Sequence, residues 1–354
     1  MKAARFHKRG DIRIEDIPEP VVKPGEVGIK VAWCGICGTD LHEFMEGPIF
    51  IPPCGHPHPI SGESAPVTMG HEFSGVIYAV GEGVSDLQVG QHVVVEPYIV
   101  HDDTPTGPGS NYHLSKDMNF IGLGGRGGGL AEKISVKRRW VHPISDKIAL
   151  DQAALIEPLA VGHHAFVRSG ARAGDVALVG GAGPIGLLLA SVLKAKGLKV
   201  IITELSRARK EKAREAGVAD HILDPSEVDV VTEVKKLTGG EGVDVAFECT
   251  SVNKVLDTLV DACKPAAKMV IVSIWSHPAT INVHSVVMKE LDVRGTIAYC
   301  NDHAETIKLV EEGKINLAPF ITQRIKLDEL VSEGFERLIH NNESAVKIIV
   351  NPNL

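Results

Sequence analysis

The spacing of hydrophobic and polar positions changes near the middle of the 354-residue chain. Up to about residue 157, short apolar runs such as EVGIKVAW, FSGVIYAVG and QHVVVEP are bounded by glycine, proline and aspartate. Runs of this kind are typical of β-strands, so the pattern predicts a largely β, barrel-like domain. Two stretches rich in proline, glycine and polar residues, 47–68 and 98–120, are predicted to be loops.

From Asp175 onward, apolar runs of strand length alternate with helical segments. The predicted strands are DVALVG, KVIITE, DHILD, VDVAFEC, KMVIVSI and VRGTI, and the helices between them are PIGLLLASVLKAKG, SRARKEKAREAG, EVDVVTEVKKLTGG and NKVLDTLVDACK. Six strands alternating with helices predict a doubly wound parallel sheet, so the fold class is α/β. After about residue 297, two amphipathic helices, HAETIKLVEEG and LDELVSEGFERLIHN, and a closing strand, AVKIIVN, are predicted.

Length, charge and cysteine usage narrow the function classes. A chain of 354 residues favours two domains, and a formal charge of -8 does not favour nucleic acid or an anionic membrane as partner. The longest weakly polar stretch, 177–193, is too short for a membrane span and is interrupted by glycine and proline. The six cysteines form no dense framework, which indicates a reducing cytoplasm.

A glycine-rich turn, VALVGGAGPIG, follows a predicted strand and opens a predicted helix. Gly181 permits a tight turn, Gly183 permits approach of a pyrophosphate, and Gly186 permits close helix–sheet packing. The pyrophosphate would lie on the helix N-terminus, where free N–H groups favour an anion. Glu204 ends the next strand and would accept the adenosine ribose hydroxyls, so NAD is favoured over NADP. The nearby Arg209 could meet a phosphate or stack on adenine.

The segment WCGICGTDLH contains two cysteines, Cys34 and Cys37. The pair could be half of a structural zinc site, a redox dithiol, or one catalytic metal ligand beside an unrelated neighbour. No second CxxC exists, and the motif lies in the β-rich half and not in a βαβ unit. His71 with Glu72 in MGHEFSG, and Glu157 in LIEPLAV, could complete a mixed-ligand catalytic zinc site. Each of these residues also has an ordinary structural interpretation, as a buried polar or apolar side chain.

Several motifs in order, CGICGTDLH, GHEFSG, EPLAVGHHA and GGAGPIG, resemble those of the zinc-dependent medium-chain alcohol and polyol dehydrogenases. The resemblance covers about residues 1 to 350. Within the family the chain is most similar to the 2,3-butanediol dehydrogenases, through HEFMEGPIF, VVVEP, GLGGRGGGLAEK, IVSIW and GTIAY. The resemblance implies a GroES-like catalytic domain, residues 1–157 and 297–354, and a Rossmann NAD-binding domain, residues 158–296.

The resemblance also implies roles for individual residues. The expected zinc ligands are Cys37, His71, Glu72 and Glu157, where one of the two glutamates is an alternate or water-bridged ligand, and Cys34 is not a ligand. Thr39 would bind the alcohol oxygen and pass its proton through the cofactor ribose to His42, while Asp40 would support the metal site. The expected cofactor-binding residues are Gly181, Gly183, Pro184, Ile185, Gly186, Glu204, Arg209, Val272, Ser273, Ile274, Thr296, Ile297 and Ala298, and Tyr299 is expected at the substrate.

The chain departs from its relatives in two places. Many relatives hold a structural zinc on four cysteines in the lobe that corresponds to residues 98–122, and this lobe has none. His101, Asp102, Asp103 and His113 remain there as polar loop residues, so one zinc per chain is expected and no structural zinc. Sorbitol-type relatives carry an arginine where this chain has Ala298, which disfavours long polyols and suits a short vicinal diol.

The predicted function is therefore reversible, zinc-dependent oxidation of a short vicinal diol or secondary alcohol with NAD. One alternative is a sorbitol- or xylitol-type polyol dehydrogenase. An alternative of another class is a non-catalytic nucleotide-binding protein that keeps the fold, because a fold does not fix a function. The expected partner is a small alcohol or ketone, and a homodimer or homotetramer is normal for the family.

Overall fold

The computed structural model describes residues 1–342 and 345–354, which form two compact units. Unit 1 comprises Met1–Glu157, His303–Glu311 and Ile321–Leu354, and unit 2 comprises Pro158–Asp302 and Glu312–Phe320. The predicted functional domains differ from these units at residues 297–302 and 312–320, and their bounds remain a prediction.

Short strands dominate the first 157 residues. Their elements are β1 (Lys2–Lys8), β2 (Asp11–Asp16), β3 (Glu26–Gly35), α1 (Gly38–Glu46), β4 (Val67–Thr68), β5 (Glu72–Val80), β6 (His92–Val95), β7 (Tyr98–Ile99), β8 (Asn119–Phe120), β9 (Lys133–Lys137), β10 (Val141–Pro143) and α2 (Leu150–Ala153). The predicted strands EVGIKVAW, FSGVIYAVG and QHVVVEP are confirmed as β3, β5 and β6. Both predicted loops hold short strands, β4 in the first and β7 and β8 in the second.

The centre of unit 1 is the long strand β3, which pairs antiparallel with both β5 and β9. Val27, Ile29 and Val31 alternate along β3 with residues of the opposite face and are fully buried. Because β3 ends at Gly35 and β5 begins at Glu72, and these two residues are register partners, the end of one strand lies beside the start of the other. This pairing brings the Cys37 and His71 segments together.

Unit 2 holds the alternating elements that the apolar runs predicted. They are α3 (Ile156–Ser169, its first two residues in unit 1), β11 (Val176–Gly180), α4 (Pro184–Ala195), β12 (Lys199–Thr203), α5 (Arg207–Glu215), β13 (His221–Leu223), α6 (Val230–Leu237), β14 (Val243–Glu248), α7 (Asn253–Ala262), β15 (Cys263–Ile271), α8 (Val283–Met288) and β16 (Asp292–Gly295). The six strands form one parallel sheet in the order β13-β12-β11-β14-β15-β16. The predicted doubly wound parallel sheet is confirmed.

The core of unit 2 follows the register of its sheet. Leu178, Ile201, Ala246 and Met269 are register partners on four adjacent strands, and all are buried in one cluster. Parallel strands buried on both faces need near-continuous apolar sequence, which explains why these strands were evident as unbroken apolar runs.

The C-terminal segment returns to unit 1 as α9 (His303–Glu311), β17 (Ile321–Lys326), α10 (Glu336–His340) and β18 (Lys347–Asn351). β18 pairs antiparallel with β3, so the end of the chain joins the central sheet. The prediction of one amphipathic helix over LDELVSEGFERLIHN is wrong. A 3₁₀ turn and a π-helical segment, Leu330–Phe335, precede α10. Leu330 and Phe335 are both fully buried and five residues apart, a spacing that a π turn and not an α turn aligns.

Candidate active site

Cys37 lies immediately before α1 and caps its N-terminus, two residues after β3 ends. Its N–H donates to Asp40 Oδ2 at 2.9 Å, and its Sγ is 3.8 Å from Thr39 Oγ1. Cys34, inside β3, is fully buried. Burial, reinforced by the charges of Asp40 and Glu72, raises the pKa of the Cys34 thiol well above its usual value, so this sulfur stays protonated. The two cysteines therefore differ in burial, since Cys37 is only half-buried, and their assignment as ligand and neighbour remains a prediction.

His71 and Glu72 stand at the start of β5, and both are buried. Ligand atoms of Cys37, His71 and Glu72 all lie within 4.8 Å of one another. Gly35 leaves room for this arrangement, because a Cβ there would overlap Glu72 Oε2. The structure thus brings together a cysteine sulfur, an imidazole and a carboxylate from two segments that are far apart in sequence.

The electrostatics of His71 fit a cation site. Its Nδ1 is 3.5 Å from Asp40 Oδ1, and both atoms are buried with no hydrogen-bond partner in the described part of the chain. Burial alone would lower the pKa of His71, yet the negative charges of Asp40 and Cys37 hold it well above its usual value. The negative charges around His71 favour a positive charge at this point, which a metal ion would supply when bound. The donor set of one sulfur, one nitrogen and one oxygen suits zinc.

Glu72 has a further partner that the sequence did not indicate. Lys347 Nζ, on β18, is 2.7 Å from both carboxylate oxygens of Glu72 and 3.1 Å from the carbonyl oxygen of Ile36. Lys347 is buried, which by itself lowers its pKa, but Glu72 and Cys37 raise that pKa above the usual value. A zinc ligand at Glu72 would therefore share its carboxylate with a buried ammonium group.

Glu157 lies in the first turn of α3 and is buried. Its negative charge contributes to the raised pKa of both His71 and Lys347, so it is close to the cluster. It is not among the three residues whose ligand atoms converge within 4.8 Å. Both glutamates lie close to the cluster, and their division into a direct and an alternate or water-bridged ligand remains a prediction.

The two residues expected to carry the proton lie on α1. Thr39 is half-buried beside Cys37, and His42, three residues further on, is exposed. Residues three apart on a helix share a face, so the path from one to the other leads outward. Their catalytic roles remain a prediction.

The glycine-rich turn has the geometry that the sequence predicted. Gly181 has φ +96°, and a Cβ on Gly186 would overlap the carbonyl oxygen of Gly181. Gly183 caps α4, and Pro184 and Ile185 follow in its first turn. The free N–H groups at this helix start can receive a pyrophosphate.

Glu204 directly follows β12, and its carboxylate accepts hydrogen bonds from the N–H groups of Ala182 (2.7 Å) and Ser206 (2.8 Å). These bonds fix the carboxylate beside the glycine-rich turn. Arg209, in the first turn of α5, has a buried Nε with no hydrogen-bond partner among the described residues. An anionic or π-rich ligand would supply that partner.

The other expected cofactor residues follow the carboxyl ends of two adjacent parallel strands. Val272, Ser273 and Ile274 follow β15, and Thr296, Ile297 and Ala298 follow β16. This edge is where ligands of doubly wound sheets bind. Tyr299 is fully buried, so its contact with a substrate remains a prediction.

Two carboxylates in this region were missed. Glu248 ends β14 and accepts hydrogen bonds from Thr250, Ser251 and Ser273. The signal that found Glu204, an acidic residue ending an apolar strand, could have found Glu248. Asp302 accepts from His163 Nδ1 (2.6 Å) and His164 Nδ1 (2.9 Å), a contact between distant segments that no local pattern indicates.

In the lobe at residues 98–120, two of the polar residues named in the sequence analysis have charged partners. Asp102 forms an ion pair with Lys137, and His101 is 3.5 Å from Asp117. Neither His101, Asp102, Asp103 nor His113 belongs to a metal-binding group in the described part of the chain. Within residues 1–342 and 345–354, no helix has the length and apolar content to cross a membrane.

Comparisons with known proteins agree with this geometry. Residues 23–146 match the alcohol dehydrogenase GroES-like domain, and residues 184–312 match the zinc-binding dehydrogenase domain. The chain is 90% identical to a (R,R)-butanediol dehydrogenase of Neisseria gonorrhoeae over the whole length of both. It is 32% identical to a sorbitol dehydrogenase of Bacillus subtilis, over 100% of this chain and 98% of that one.

Two solved structures have the same fold. The 2R,3R-butanediol dehydrogenase of Bacillus subtilis has a TM-score of 0.93 and 47% identity, with 99% of each chain covered. A protein of Sinorhizobium meliloti that was solved with NADP has a TM-score of 0.87 and 30% identity, again with 99% of each chain covered. Enzymatic oxidoreduction, zinc dependence and a nicotinamide cofactor thus have support beyond the site itself.

Proposed function

This chain belongs to the zinc-binding alcohol dehydrogenases with a GroES-like domain, and we propose that it interconverts (R,R)-2,3-butanediol and acetoin with NAD. The observation that carries the proposal is the convergence of Cys37, His71 and Glu72 in a chain 90% identical to a (R,R)-butanediol dehydrogenase. The sorbitol dehydrogenase of Bacillus subtilis is far less similar, at 32% identity.

In the proposed mechanism Cys37, His71 and Glu72 hold one catalytic zinc, with Glu157 as the alternate or water-bridged ligand. Zinc, when bound, would lower the pKa of an alcohol, and a bound nicotinamide would supply the hydride acceptor. Thr39 Oγ1 accepts the alcohol proton as its own hydroxyl proton is relayed towards the exposed His42, which releases a proton to solvent. Asp40, whose Oδ1 lies 3.5 Å from His71 Nδ1, places a negative charge behind the imidazole and so supports His71 as a ligand.

On the nucleotide side, Gly181, Gly183, Pro184, Ile185 and Gly186 cradle the pyrophosphate. Glu204 accepts the ribose hydroxyls, and its fixed carboxylate repels a 2′-phosphate, which supports NAD over NADP. Arg209 stacks on or hydrogen-bonds to the adenosine. Val272, Ser273, Ile274, Thr296, Ile297 and Ala298 line the nicotinamide, and Tyr299 with Ala298 limits the substrate to a short diol.

A homodimer or homotetramer is part of the proposal. β16 is the edge strand of the six-stranded sheet, and α8, which precedes it, exposes Val283, Val287 and Met288. An open edge with exposed apolar side chains supports pairing with a second copy of this chain.

The spacing of the six cysteines supports a cytoplasmic location.

The test is NADH formation by purified protein with NAD and (R,R)-2,3-butanediol, compared with sorbitol and repeated after zinc chelation. Turnover that is much faster on butanediol and is lost with chelator supports the proposal. Faster turnover on sorbitol would indicate the polyol alternative. Turnover on neither substrate, with zinc shown to be bound, would contradict the proposed substrate. Other secondary alcohols would then be tested as substrates before the non-catalytic alternative is accepted.

A further inference from the structure

A second group of metal-ligating side chains lies in unit 1, apart from the catalytic cluster. Glu96 directly follows β6, His142 lies in the neighbouring strand β10, and His303 begins α9. Ligand atoms of these three residues all lie within 4.8 Å of one another. Three segments that are far apart in sequence therefore direct a carboxylate and two imidazoles to one point.

The His142–Glu96 distance is that of a hydrogen bond, but the His303–Glu96 distance is longer, so the three side chains do not form a complete hydrogen-bonded triad. His142 Nε2 is 3.1 Å and His303 Nδ1 is 3.8 Å from the same oxygen, Glu96 Oε2. A separation of 3.8 Å is too long for a hydrogen bond. Two ligand atoms on a tetrahedral zinc ion, each bound at about 2.0–2.1 Å, lie about 3.3 Å apart. The two observed distances fall on either side of that value.

Charge balance also favours a cation at this point. The Glu96 side chain is buried, and its Oε2 faces the imidazoles of His142 and His303. A buried carboxylate needs a compensating positive charge. A metal ion provides that charge while both imidazoles stay neutral, the form that binds metals.

The surroundings complete the site. Tyr112 Oη donates to Glu96 Oε1, which orients the carboxylate and leaves Oε2 directed at the histidines. Tyr112 packs against Tyr98 and Trp140, with ring centroids 5.2 and 5.3 Å apart, so one side of the cluster is apolar. The His142 side chain is 26% exposed and gives an entry path from solvent.

We propose that Glu96, His142 and His303 bind a divalent transition metal ion such as Zn²⁺, with a water as fourth ligand. Two imidazoles and one carboxylate favour zinc over magnesium or calcium, which prefer oxygen ligands. The ion would join β6, β10 and α9 of unit 1. Through Tyr112 it would also fix the lobe at residues 98–120, which lacks the four cysteines expected in relatives. The role is structural, and it revises the expectation of one zinc per chain.

Metal stoichiometry tests the proposal independently of turnover. Wild-type protein, Cys37→Ala, His142→Gln and the double variant are saturated with Zn²⁺, desalted and analysed by mass spectrometry for zinc per chain. The expected values are two, one, one and zero. His92→Gln is the matched control, because His92 is a half-buried histidine of β6, the strand that pairs with β10, and lies outside the cluster. It should retain two zinc ions.

Cobalt loading gives a second readout that identifies the ligands. Co²⁺-loaded Cys37→Ala should keep a visible ligand-field spectrum but no thiolate-to-metal charge-transfer band. His142→Gln should keep the charge-transfer band and lose only the ligand-field absorption of the second ion. His142→Gln should still turn over diol, because the catalytic ligands are intact. One zinc in the wild type and none in Cys37→Ala would overturn the second site while leaving the proposed function untouched. Equal zinc content in His142→Gln and His92→Gln would overturn it as well.

Discussion

Lys347 Nζ lies 2.7 Å from both carboxylate oxygens of Glu72, and both side chains are almost completely buried. The pair joins the C-terminal strand β18 to the proposed zinc ligand at the start of β5. A buried ion pair is costly to break on one side only, since the remaining charge has neither water nor a partner. Its two members should therefore depend on each other and on the metal.

Replacing Lys347 with methionine should destabilise the zinc-free protein by about 3–5 kcal/mol, because Glu72 is left as an unpaired buried charge. Bound zinc compensates that charge, so the loss should be smaller in zinc-loaded protein. Urea unfolding with and without zinc measures both values. Lys2→Met is the control, since the Lys2–Asp328 pair is exposed on both sides and its loss should be undetectable. Equal stability of the two variants would contradict the inferred role of the pair.

The two cysteines of WCGICGTDLH should respond differently to serine. Cys37→Ser should lose catalytic zinc and reduce kcat/KM by more than the about 10–100-fold typical of losing an outer partner of a metal site. Cys34→Ser keeps volume at a buried site whose thiol is protonated, so it should retain zinc and turnover. Zinc analysis and diol oxidation check both variants. Loss of zinc in Cys34→Ser alone would show that the ligand was assigned to the wrong cysteine.

Asp302 should give the protein an acid-sensitive contribution to stability. Burial raises the pKa of its carboxyl, but hydrogen bonds from His163, His164 and the Cys300 N–H lower it overall from 3.8 to about 2. Because the folded-state pKa is depressed, the stabilisation is present above about pH 4 and disappears as the pH falls towards 2. A shift of this size corresponds to about 2 kcal/mol.

Asp302→Asn removes this contribution. The difference in free energy of unfolding between wild type and variant should be about 2 kcal/mol at pH 6 and should shrink as the pH falls from 4 towards 2. Urea unfolding at a series of pH values measures it. Asp257→Asn, at an exposed position on α7, should show no such change. A difference that stays constant with pH would mean that the carboxylate is not ionised below its usual range.

Glu204 should set the preference for NAD. In Glu204→Gln the negative charge is gone, so repulsion of a 2′-phosphate is removed and the ratio of kcat/KM for NADP to that for NAD should rise at least about tenfold. Initial rates with both cofactors give the ratio. Glu211→Gln, which removes an exposed carboxylate of α5 paired with Arg207, should leave it unchanged. An unchanged ratio in Glu204→Gln would contradict the assignment of Glu204 to the ribose.

Ala298 should limit the length of the substrate. Ala298→Arg introduces the arginine that the resemblance implies for sorbitol-type relatives and should raise the ratio of sorbitol to butanediol kcat/KM by about tenfold, as expected for one added hydrogen-bonded contact. Ala298 already has φ +50° with a side chain in place, so the substitution adds no new class of backbone strain. Ala266→Arg, at φ +59° on an exposed position, controls for that strain. A ratio that changes equally in both variants would remove Ala298 as a specificity residue.

The sequence determined the local structure of the nucleotide half. Three features of this half depend mainly on neighbouring residues: the apolar strands buried on both faces, the helices between them and the glycine-rich turn. They can therefore be recognised from the sequence alone. The same reasoning placed Glu204 correctly at the end of β12. It failed at Leu330–Phe335, where burial of side chains five residues apart imposed a π turn on an apparently ordinary helix.

Tertiary structure alone decided which charged side chains meet. The sequence suggested Cys37, His71 and Glu72 as ligands, but only the pairing of β3 with β5 brings them within 4.8 Å of one another. Lys347 is 275 residues from Glu72, and His303 lies far along the chain from Glu96 and His142. Contacts of this kind leave no periodic trace in the sequence, because they arise from the packing of whole strands and helices and not from the conformational preference of any one segment.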